Sequence, residues 1–227
     1  RHIGKVATLV GVCPGFVGNR ILFARQYQAN ALIYEGIMPW DIDAAFNEFG
    51  FKMGPFQMSD LAGLDIGWKK GATTANPIRD ALCELDRRGQ KTGAGYYDYD
   101  ENRKNVPSEV TAGIIREITG AGNATLSSEA IIDRCVIPMI NEALAILEEN
   151  KAQRPTDIDV VWINGYGWPL DKGGVMYYAD MLGAKRVHAV MTDLAANDES
   201  IRVSPLLEEL VSTGGRFVDI DTGGLKV

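Results

Sequence analysis

Apolar residues recur at helical spacing along most of this chain, after a first apolar segment with a different pattern. The run from Lys5 to Val12 is a strand candidate. It ends at Pro14 and Gly15, because proline lacks a backbone donor and glycine adopts backbone angles that other residues avoid. From Val17 to Glu35 the apolar positions have helical spacing and cover more than one face, which predicts a helix packed on several sides. The polar residue Asn19 falls in the first turns of that helix.

Further helices are predicted where proline or a capping residue opens an apolar pattern and glycine closes it. Pro39 opens a helix through Phe46, and its early carboxylates Asp41 and Asp43 suit the positive end of a helix dipole. Two residues apart on a helix, these carboxylates point in different directions, so dipole compensation is favoured over an acid–base pair. Other helices are predicted at Phe56–Gly63, at Ile78–Arg87, after Ser108 and after Ser204.

The second half of the chain repeats the plan of the first half. Asn19 and Arg20 match Asp133 and Arg134, which lie 114 positions later. Further matches place Asp41–Asp43 on Asp157–Asp159 at 116 positions, and Gly54, Asp60 and Gly63 on Gly174, Asp180 and Gly183 at 120 positions. Because the matches keep their order over the whole chain, they predict two copies of one mainly helical unit of about 100 residues.

The repeat predicts an all-α chain with four segments. Residues 1–12 form a short strand remnant, residues 13–100 the first helical domain, residues 101–126 a linker and residues 127–227 the second helical domain. The linker is assigned from its charged start and from the small polar residues near its end. Pro138 lies inside the second long helix, where its missing N–H is expected to produce a kink.

Composition excludes two classes of partner. The 23 basic and 30 acidic residues give a net charge of −7, and the basic residues are scattered, so nucleic acid is not an expected partner. No apolar run approaches the roughly 18 residues that a membrane span needs.

The three cysteines are widely spaced without a CxxC pair, which is typical of a reducing compartment. The first 12 residues loosely resemble a signal peptide, but there is no starting methionine, and Thr8 and Gly11 interrupt the apolar part. We therefore expect the sequence to be cut from a longer protein.

Complete catalytic motifs are absent from the sequence. It contains no GxGxxG loop after a strand, no P-loop, no HExxH and no GxSxG, and its two histidines, His2 and His188, are isolated from each other. The glycine-rich stretches Gly50–Phe56 and Gly165–Gly174 fit either ligand loops or tight turns between packed helices. Since both copies contain such a stretch, architecture alone explains them, and the second alternative is favoured.

Asn19 is the position at which the two copies differ in chemistry. An asparagine that only caps a helix is replaceable by aspartate, which caps equally well. An asparagine that donates a hydrogen bond to a substrate oxygen is not replaceable in this way, because an ionised aspartate has no donor. The matching residue is Asp133, so the repeat allows one working site and one silent copy.

Taken together, these motifs resemble the C-terminal helical domain of 3-hydroxyacyl-CoA dehydrogenases. The first copy carries the resemblance in Lys5–Val12, Pro14–Arg20, Asp41–Asp43, Gly54–Phe56, Asp60–Asp65 and Gly95–Tyr99. The second copy, through Asn141–Ala143, Asp157–Asp159, Gly165–Pro169 and Tyr178–Asp180, is similar to multifunctional enzymes that join enoyl-CoA hydratase and 3-hydroxyacyl-CoA dehydrogenase. The resemblance implies two tandem helical domains related by a pseudo-twofold axis, with the fold of the 6-phosphogluconate dehydrogenase C-terminal domain.

The resemblance also implies a role in fatty-acid β-oxidation, namely the NAD-dependent oxidation of 3-hydroxyacyl-CoA to 3-ketoacyl-CoA. In that family a preceding Rossmann domain binds NAD and supplies a catalytic His–Glu pair, so no cofactor is expected on this chain alone. The family's catalytic asparagine matches Asn19, and Phe16, Gly54 and Pro55 are expected to bind substrate beside it. Asp133 in the matching position implies a structural second copy that replaces the partner subunit of single-domain relatives.

Several expectations about the wider protein follow from the resemblance. The partners would be the acyl-CoA substrate, the Rossmann domain and a hydratase domain, and the isolated chain is expected to be inactive. A bacterial cytoplasm is the first expected location and a peroxisome the second. The alternatives left open are a non-catalytic assembly or dimerisation module, and the helical module of another two-domain dehydrogenase.

Overall fold

The computed structural model describes residues 4–71 and 73–223, and within these ranges the chain is mainly helical. The described helices are α1 (Phe16–Tyr34), α2 (Pro39–Phe49), α3 (Pro55–Ala62), α4 (Pro77–Glu84), α5 (Glu109–Thr119), α6 (Ser128–Glu148), α7 (Pro155–Gly165), α8 (Val175–Leu182), α9 (Ala184–Asn197) and α10 (Pro205–Thr213). Short 3-10 helices lie at Gln90–Thr92, Leu170–Lys172 and Phe217–Asp219. The predicted all-α class is therefore confirmed. No helix in the described ranges is long and apolar enough to cross a membrane.

The helix boundaries follow from local sequence signals. Five helices, α2, α3, α4, α7 and α10, have proline in their first turn, where the missing N–H costs no helical hydrogen bond. Asn76 caps α4, since its side chain accepts a 3.0 Å hydrogen bond from the backbone N–H of Arg79. The predicted opening of the last helix at Ser204–Pro205 is observed as well. α6 continues through Pro138.

The predicted N-terminal strand forms very little sheet in the described residues. Within Lys5–Val12, Val10 pairs with Ala152 in an isolated antiparallel bridge, and the Gly11 N–H donates to the Lys151 carbonyl at 2.8 Å. The named strands are β1 (Tyr97–Tyr99) and β2 (Asn105–Pro107), which form an antiparallel pair with Asp98 opposite Val106. A strand needs a continuous partner to complete its ladder, and the described part of the chain offers residues 5–12 only one pairing position.

The described residues fall into two compact units. One consists of the residues up to Gln28 together with those from Ile132 onward, and the other extends from Ala29 to Ile131. Each long helix, α1 and α6, therefore contributes residues to both units. These units differ from the sequence-based segments 13–100, 101–126 and 127–227, which remain a prediction. The segment predicted as a linker contains β2 and α5, and α5 buries Ala112 and Ile115.

Each unit has its own apolar core. In the first unit, Val17 and Ile21 of α1 are buried, as are Ile158 and Trp162 of α7. In the second unit, aromatic rings pack in pairs, with 5.5 Å between the ring centroids of Phe46 and Phe51 and 4.8 Å between those of Phe56 and Tyr96. Aromatic pairs of this kind contribute about 0.5–1.5 kcal/mol beyond their buried area. Both cores are typical of small independently packed helical units.

Candidate functional site

The start of α1 is a tight turn that exposes one aromatic side chain. Gly15 has φ 78° and Phe16 has φ 50°, so two successive residues adopt the left-handed region. The Phe16 N–H donates to the Cys13 carbonyl at 3.0 Å, and the Asn19 N–H donates to the Gly15 carbonyl at 3.1 Å. A left-handed phenylalanine is uncommon and costs roughly 1–3 kcal/mol, which the surrounding packing must offset. The side chain of Phe16 is 55% exposed in this turn.

Phe16 lines an open groove of about 330 Å³ in the first unit. The groove has walls from the N-terminal segment, from the first turn of α1 and from the C-terminal end of α7. Its lining residues are Val6, Thr8, Val10, Phe16, Val17, Gly18, Val160, Val161, Asn164, Gly165 and Tyr166. Mostly apolar walls with a few polar groups are typical of binding sites for small molecules and acyl chains.

Asn19 is joined to this groove by a hydrogen bond to one of its lining residues. The Tyr166 hydroxyl donates to the Asn19 Oδ1 atom at 2.8 Å, across 147 positions of the sequence. Because the amide oxygen is the acceptor in this bond, the Nδ2 group keeps its two N–H donors. Asn19 is exposed. The bond to Tyr166 therefore does not use the amide donors of Asn19.

The Tyr166 ring is held by contacts on two sides. It stacks on Trp162 with 4.7 Å between ring centroids and 25° between planes. It also lies directly against the backbone of Gly18, where a Cβ atom would overlap the ring. The Arg25 guanidinium carbon lies 5.9 Å from the Trp162 ring centroid, within the range of a cation–π contact. Burial raises the pKa of Tyr166, so its hydroxyl stays protonated as a donor.

The second copy has different chemistry at the matching positions. Asp133, the counterpart of Asn19, forms an ion pair with Arg186 at 2.8 Å. Helices α2 and α7 correspond at a constant spacing of 116 positions, so the counterpart of Tyr166 is Gly50. Both members of the Asn19–Tyr166 pair are thus changed in the other copy. An aspartate engaged by arginine has no donor for a substrate oxygen.

The long helices α1 and α6 are connected by reciprocal polar contacts within the first unit. Arg20 Nε donates to Glu142 Oε1 at 2.7 Å, and Arg134 Nε donates to Gln28 Oε1 at 2.7 Å. Residues 20 and 134 are counterparts in the repeat, and so are residues 28 and 142. Contacts that pair i with j and j with i are those that a twofold arrangement produces.

Arg20 also binds a second carboxylate. Its Nη1 and Nη2 atoms donate to the two oxygens of Glu149 at 2.6 and 3.0 Å, and its side chain is only 17% exposed. This two-point contact is the main cause that raises the pKa of Arg20 and lowers the pKa of Glu149. The Arg20 side chain therefore holds α1 against the C-terminal end of α6.

Gly54 and Pro55, predicted to bind substrate, lie at the start of α3 in the second unit. Both residues are buried, and a Cβ atom at Gly54 would overlap Asp43. Asp43 accepts hydrogen bonds from the backbone N–H groups of Phe56 and Gln57 at 2.9 and 2.8 Å. Glycine at position 54 is required here for the close approach of Asp43.

The predicted role of Asp43 is wrong in one respect. Asp41 is exposed and Asp43 is buried, which agrees with the expectation from their spacing. Asp43, however, is buried and bonds to the first turn of α3 instead of compensating the dipole of its own helix α2. Sequence spacing fixes the direction of a side chain on its helix, but it does not show which neighbouring helix that side chain reaches.

The second copy repeats this helix-capping arrangement. Asp159 accepts hydrogen bonds from the Met176 and Tyr177 N–H groups at 2.7 and 3.3 Å, and a Cβ atom at Gly174 would overlap its side chain. Burial raises the pKa of Asp159 to about 6. The presence of the same carboxylate–glycine contact in both copies supports the architectural explanation of these two glycines.

A second buried carboxylate organises the chain after α3. Asp60 accepts hydrogen bonds from the N–H groups of Tyr96 and Tyr97 at 2.9 and 3.0 Å and from the Tyr99 hydroxyl at 3.0 Å. Burial raises its pKa to about 6, against the opposing effect of these bonds and of Arg87. Its counterpart Asp180 likewise accepts from the Phe217 N–H at 2.7 Å. Asp60 and Asp180 are therefore structural residues of the repeat.

The described residues contain no parallel sheet of the kind that holds NAD in a Rossmann domain. Rossmann-type sites lie beyond the carboxyl ends of parallel strands, whereas the sheet in ranges 4–71 and 73–223 is the antiparallel pair of β1 and β2.

His188 lies on α9, with its Nδ1 atom 3.5 Å from the Thr192 hydroxyl oxygen. His2 is outside the described residues. No group of three metal-ligating side chains occurs in the part of the chain that is described.

The four predicted site residues are thus placed in two pairs. Phe16 and Asn19 lie together in the first turns of α1, in the first unit, and Gly54 and Pro55 lie in the second unit. Sequence reasoning missed Tyr166 as the partner of Asn19. The signal was present, because Tyr166 differs from its counterpart Gly50 just as Asn19 differs from Asp133.

Comparison with known families agrees with this repeat. The family model described as "3-hydroxyacyl-CoA dehydrogenase, C-terminal domain" matches residues 15–99 and again residues 131–217. The chain therefore belongs to this family and contains two copies of its domain.

The similar curated proteins include peroxisomal bifunctional enzymes. The chain is 43% identical over 212 residues to a peroxisomal bifunctional enzyme of Cavia porcellus, covering 82% of this chain and 29% of that protein. It spans about a third of the length of the curated relatives that it matches.

Among solved structures, the dehydrogenase part of multifunctional enzyme 1 from C. elegans has a TM-score of 0.73 and 29% identity, over 91% of this chain and 50% of that one. Escherichia coli 3-hydroxybutyryl-CoA dehydrogenase has a TM-score of 0.70 at 20% identity, over 93% of this chain and 63% of that one, which shows the shared fold.

Proposed function

We propose that this chain is the helical, substrate-facing part of an NAD-dependent 3-hydroxyacyl-CoA dehydrogenase of fatty-acid β-oxidation. In the whole enzyme, a separate Rossmann domain would bind NAD as the hydride acceptor. The same domain would supply the base that removes the hydroxyl proton when 3-hydroxyacyl-CoA is oxidised to 3-ketoacyl-CoA. A hydratase domain is a further proposed partner, as the resemblance to multifunctional enzymes implies; relatives are named bifunctional or multifunctional. The family membership of both copies supports this proposal.

The main support for the proposal is the hydrogen bonding of the Asn19 amide. Its oxygen accepts a hydrogen bond from the Tyr166 hydroxyl, and Tyr166 lines a groove with mostly apolar walls. A hydrogen bond from this amide to the C3 oxygen of the substrate would orient that carbon and stabilise charge on the oxygen as the proton leaves. Removing one such donor from an enzyme site costs roughly 100- to 1000-fold in turnover.

Phe16 would contact the acyl portion of the substrate from the wall of the same groove. Gly54 and Pro55 remain proposed substrate-binding residues, but their burial beside Asp43 gives them a sufficient architectural function. Of the proposed residues, Asn19 and Phe16 therefore have the stronger structural support.

The main test is Asn19→Ala in the longer natural polypeptide that contains this chain. We expect turnover of 3-hydroxybutyryl-CoA to fall by roughly 100-fold or more with an unchanged melting temperature, because Asn19 is exposed. Tyr27→Phe is the matched control, since it removes a different α1 hydrogen bond, the 2.6 Å contact to Asp198. Turnover that is unchanged in Asn19→Ala would contradict the proposed role.

A non-catalytic assembly module is the second candidate function. The reciprocal contacts of Arg20 with Glu142 and of Arg134 with Gln28 favour a role in joining helices, as in a dimer made within one chain. Under this alternative, Asn19→Ala lowers the melting temperature and leaves turnover intact. The two candidates thus predict opposite pairs of results.

The proposal also covers the isolated chain and its compartment. We expect the purified 227-residue chain to form no NADH from 3-hydroxybutyryl-CoA, and measurable NADH formation would refute this. Between the two expected compartments, the name of the Cavia porcellus relative supports the peroxisome over a bacterial cytoplasm. Imaging a tagged full-length protein in its native cells would test the compartment.

A further inference from the structure

We propose that Tyr166, which belongs to the second copy, is a positioning residue that sets the orientation of the Asn19 amide for the reaction in the first copy. This inference rests on the proposed function of Asn19. It gives the second copy a direct part in the chemistry, in addition to its structural role.

The amide group of an asparagine side chain can take either of two orientations. The amide presents an oxygen on one side and two N–H donors on the other, and the two orientations have similar shape. Only the orientation with Nδ2 toward the substrate gives a donor to its oxygen. The 2.8 Å bond from the Tyr166 hydroxyl fixes Oδ1 on the opposite side. Without that donor, the reversed amide would turn an acceptor toward the substrate oxygen and repel it.

Tyr166 is itself held firmly enough to impose this orientation. Its ring is fixed by the stack on Trp162 and by the backbone of Gly18, one residue before Asn19. The absence of a side chain at Gly18 allows the ring to reach Asn19. Gly18 lies inside α1, where alanine would otherwise be favoured by about 1 kcal/mol. The close approach of the ring explains why a glycine is present at this helical position.

The repeat provides an internal comparison for this inference. The counterparts of Asn19 and Tyr166 are Asp133 and Gly50, so the amide and its orienting hydroxyl are either both present or both replaced. Asp133 is bound by Arg186 instead. A tyrosine needed only for packing against the α7 core would not have to differ together with Asn19.

The test is a double-mutant cycle in the full-length natural polypeptide, with 3-hydroxybutyryl-CoA as substrate. Tyr166→Phe keeps the ring and its stack but removes the hydroxyl. We expect kcat to fall roughly tenfold to a hundredfold with KM changed less than about twofold, because misorientation affects the reacting geometry more than binding. Adding Tyr166→Phe to Asn19→Ala is expected to cause no further loss. Tyr27→Phe, with the same chemical change on α1, is the control and should retain kcat.

A second variant, in α1, perturbs the same hydrogen bond between Tyr166 and Asn19. Gly18→Ala keeps the Tyr166 hydroxyl but displaces the ring, so kcat should fall and the loss should again vanish in an Asn19→Ala background. This variant keeps the inference testable if Tyr166→Phe fails to fold.

The outcomes separate the inference from the proposed function. If Asn19→Ala leaves kcat unchanged, both the proposed role of Asn19 and the inference about Tyr166 are refuted. If Asn19→Ala lowers kcat while Tyr166→Phe behaves like Tyr27→Phe, only the inference is overturned. The inference is also overturned if the losses from Asn19→Ala and Tyr166→Phe multiply in the double variant, since Tyr166 would then act independently of Asn19.

Discussion

The two copies of the repeat use the same buried carboxylates but differ at the start of their long helices. Asp43 binds the first backbone N–H groups of α3, and Asp159 binds those of α8 in the same way. At the start of α1 the first copy has Asn19, which accepts the Tyr166 hydroxyl, whereas Asp133 of the second copy pairs with Arg186. Features present in both copies therefore define the architecture, whereas Asn19 and Tyr166, which both differ from their counterparts, support the proposed site.

The largest expected effects come from filling the glycine contacts that both copies share. Gly54→Ala and Gly174→Ala each place a methyl group against the aspartate that caps the next helix, and Gly174 also has φ 112°. We expect each change to lower the free energy of unfolding by about 2–4 kcal/mol, measured by chemical denaturation of the 227-residue chain.

Gly113→Ala is the matched control for these glycine variants. Gly113 lies in α5, and its added Cβ would meet no atom within 4 Å. Alanine is a better helix former, so this change should stabilise the chain by up to about 1 kcal/mol. Equal effects at all three glycines would show that the aspartate contacts are unimportant.

The next prediction distinguishes the two capping aspartates. Asn in place of Asp43 or Asp159 keeps the size but turns an N–H₂ group toward a backbone N–H donor. Asp43→Asn should cost about 2–4 kcal/mol and Asp159→Asn about 1–3 kcal/mol, because Asp43 also accepts the Tyr97 hydroxyl at 2.7 Å. Combining Asp43→Asn with Tyr97→Phe should remove most of this difference. A larger loss for Asp159→Asn would contradict the ranking.

The pH dependence of stability provides a third prediction. Burial raises the pKa of Asp60 from 3.8 to about 6, so the folded state binds a proton more tightly than the unfolded state. The corresponding stability is fully present below about pH 4 and is lost as the pH rises through about 6. The loss amounts to roughly 1–3 kcal/mol for this one group.

Unfolding titrations of the wild type and Asp60→Asn between pH 4 and pH 7.5 would measure this contribution. The variant should show a shallower decline of unfolding free energy with pH. Part of the decline should persist, because the pKa of Asp159 is also raised to about 6. Parallel curves for the two proteins would refute the assignment to Asp60.

The smallest expected effect concerns Asp133 in the second copy. Asp133→Asn reproduces the amide of the first copy but removes the exposed ion pair with Arg186, which should change stability by less than about 1 kcal/mol. Turnover of the full-length enzyme should remain unchanged, because the counterpart of Tyr166 is Gly50. A gain or loss of turnover would show that the second copy also contains a working site.

Much of the helical architecture was predictable from local sequence patterns. The helix near Val17–Glu35 corresponds to α1, and the helix opened by Pro39 corresponds to α2. The predicted strand at Lys5–Val12 is reduced to one bridge with Ala152, because a strand depends on distant residues to supply its partner. Likewise, residues 101–126 have a polar, linker-like sequence, yet α5 within them buries apolar side chains.

The sequence by itself determined the repeat, the all-α class and the chemical difference between Asn19 and Asp133. These follow from periodicity and from ordered matches, which are properties of neighbouring residues and of one chain compared with itself. Only the tertiary structure decided that Tyr166 binds Asn19 and that Asp43 caps α3. The physical reason is that a hydrogen bond depends on distance and angle between two atoms, and folding brings those atoms together from far apart in the chain.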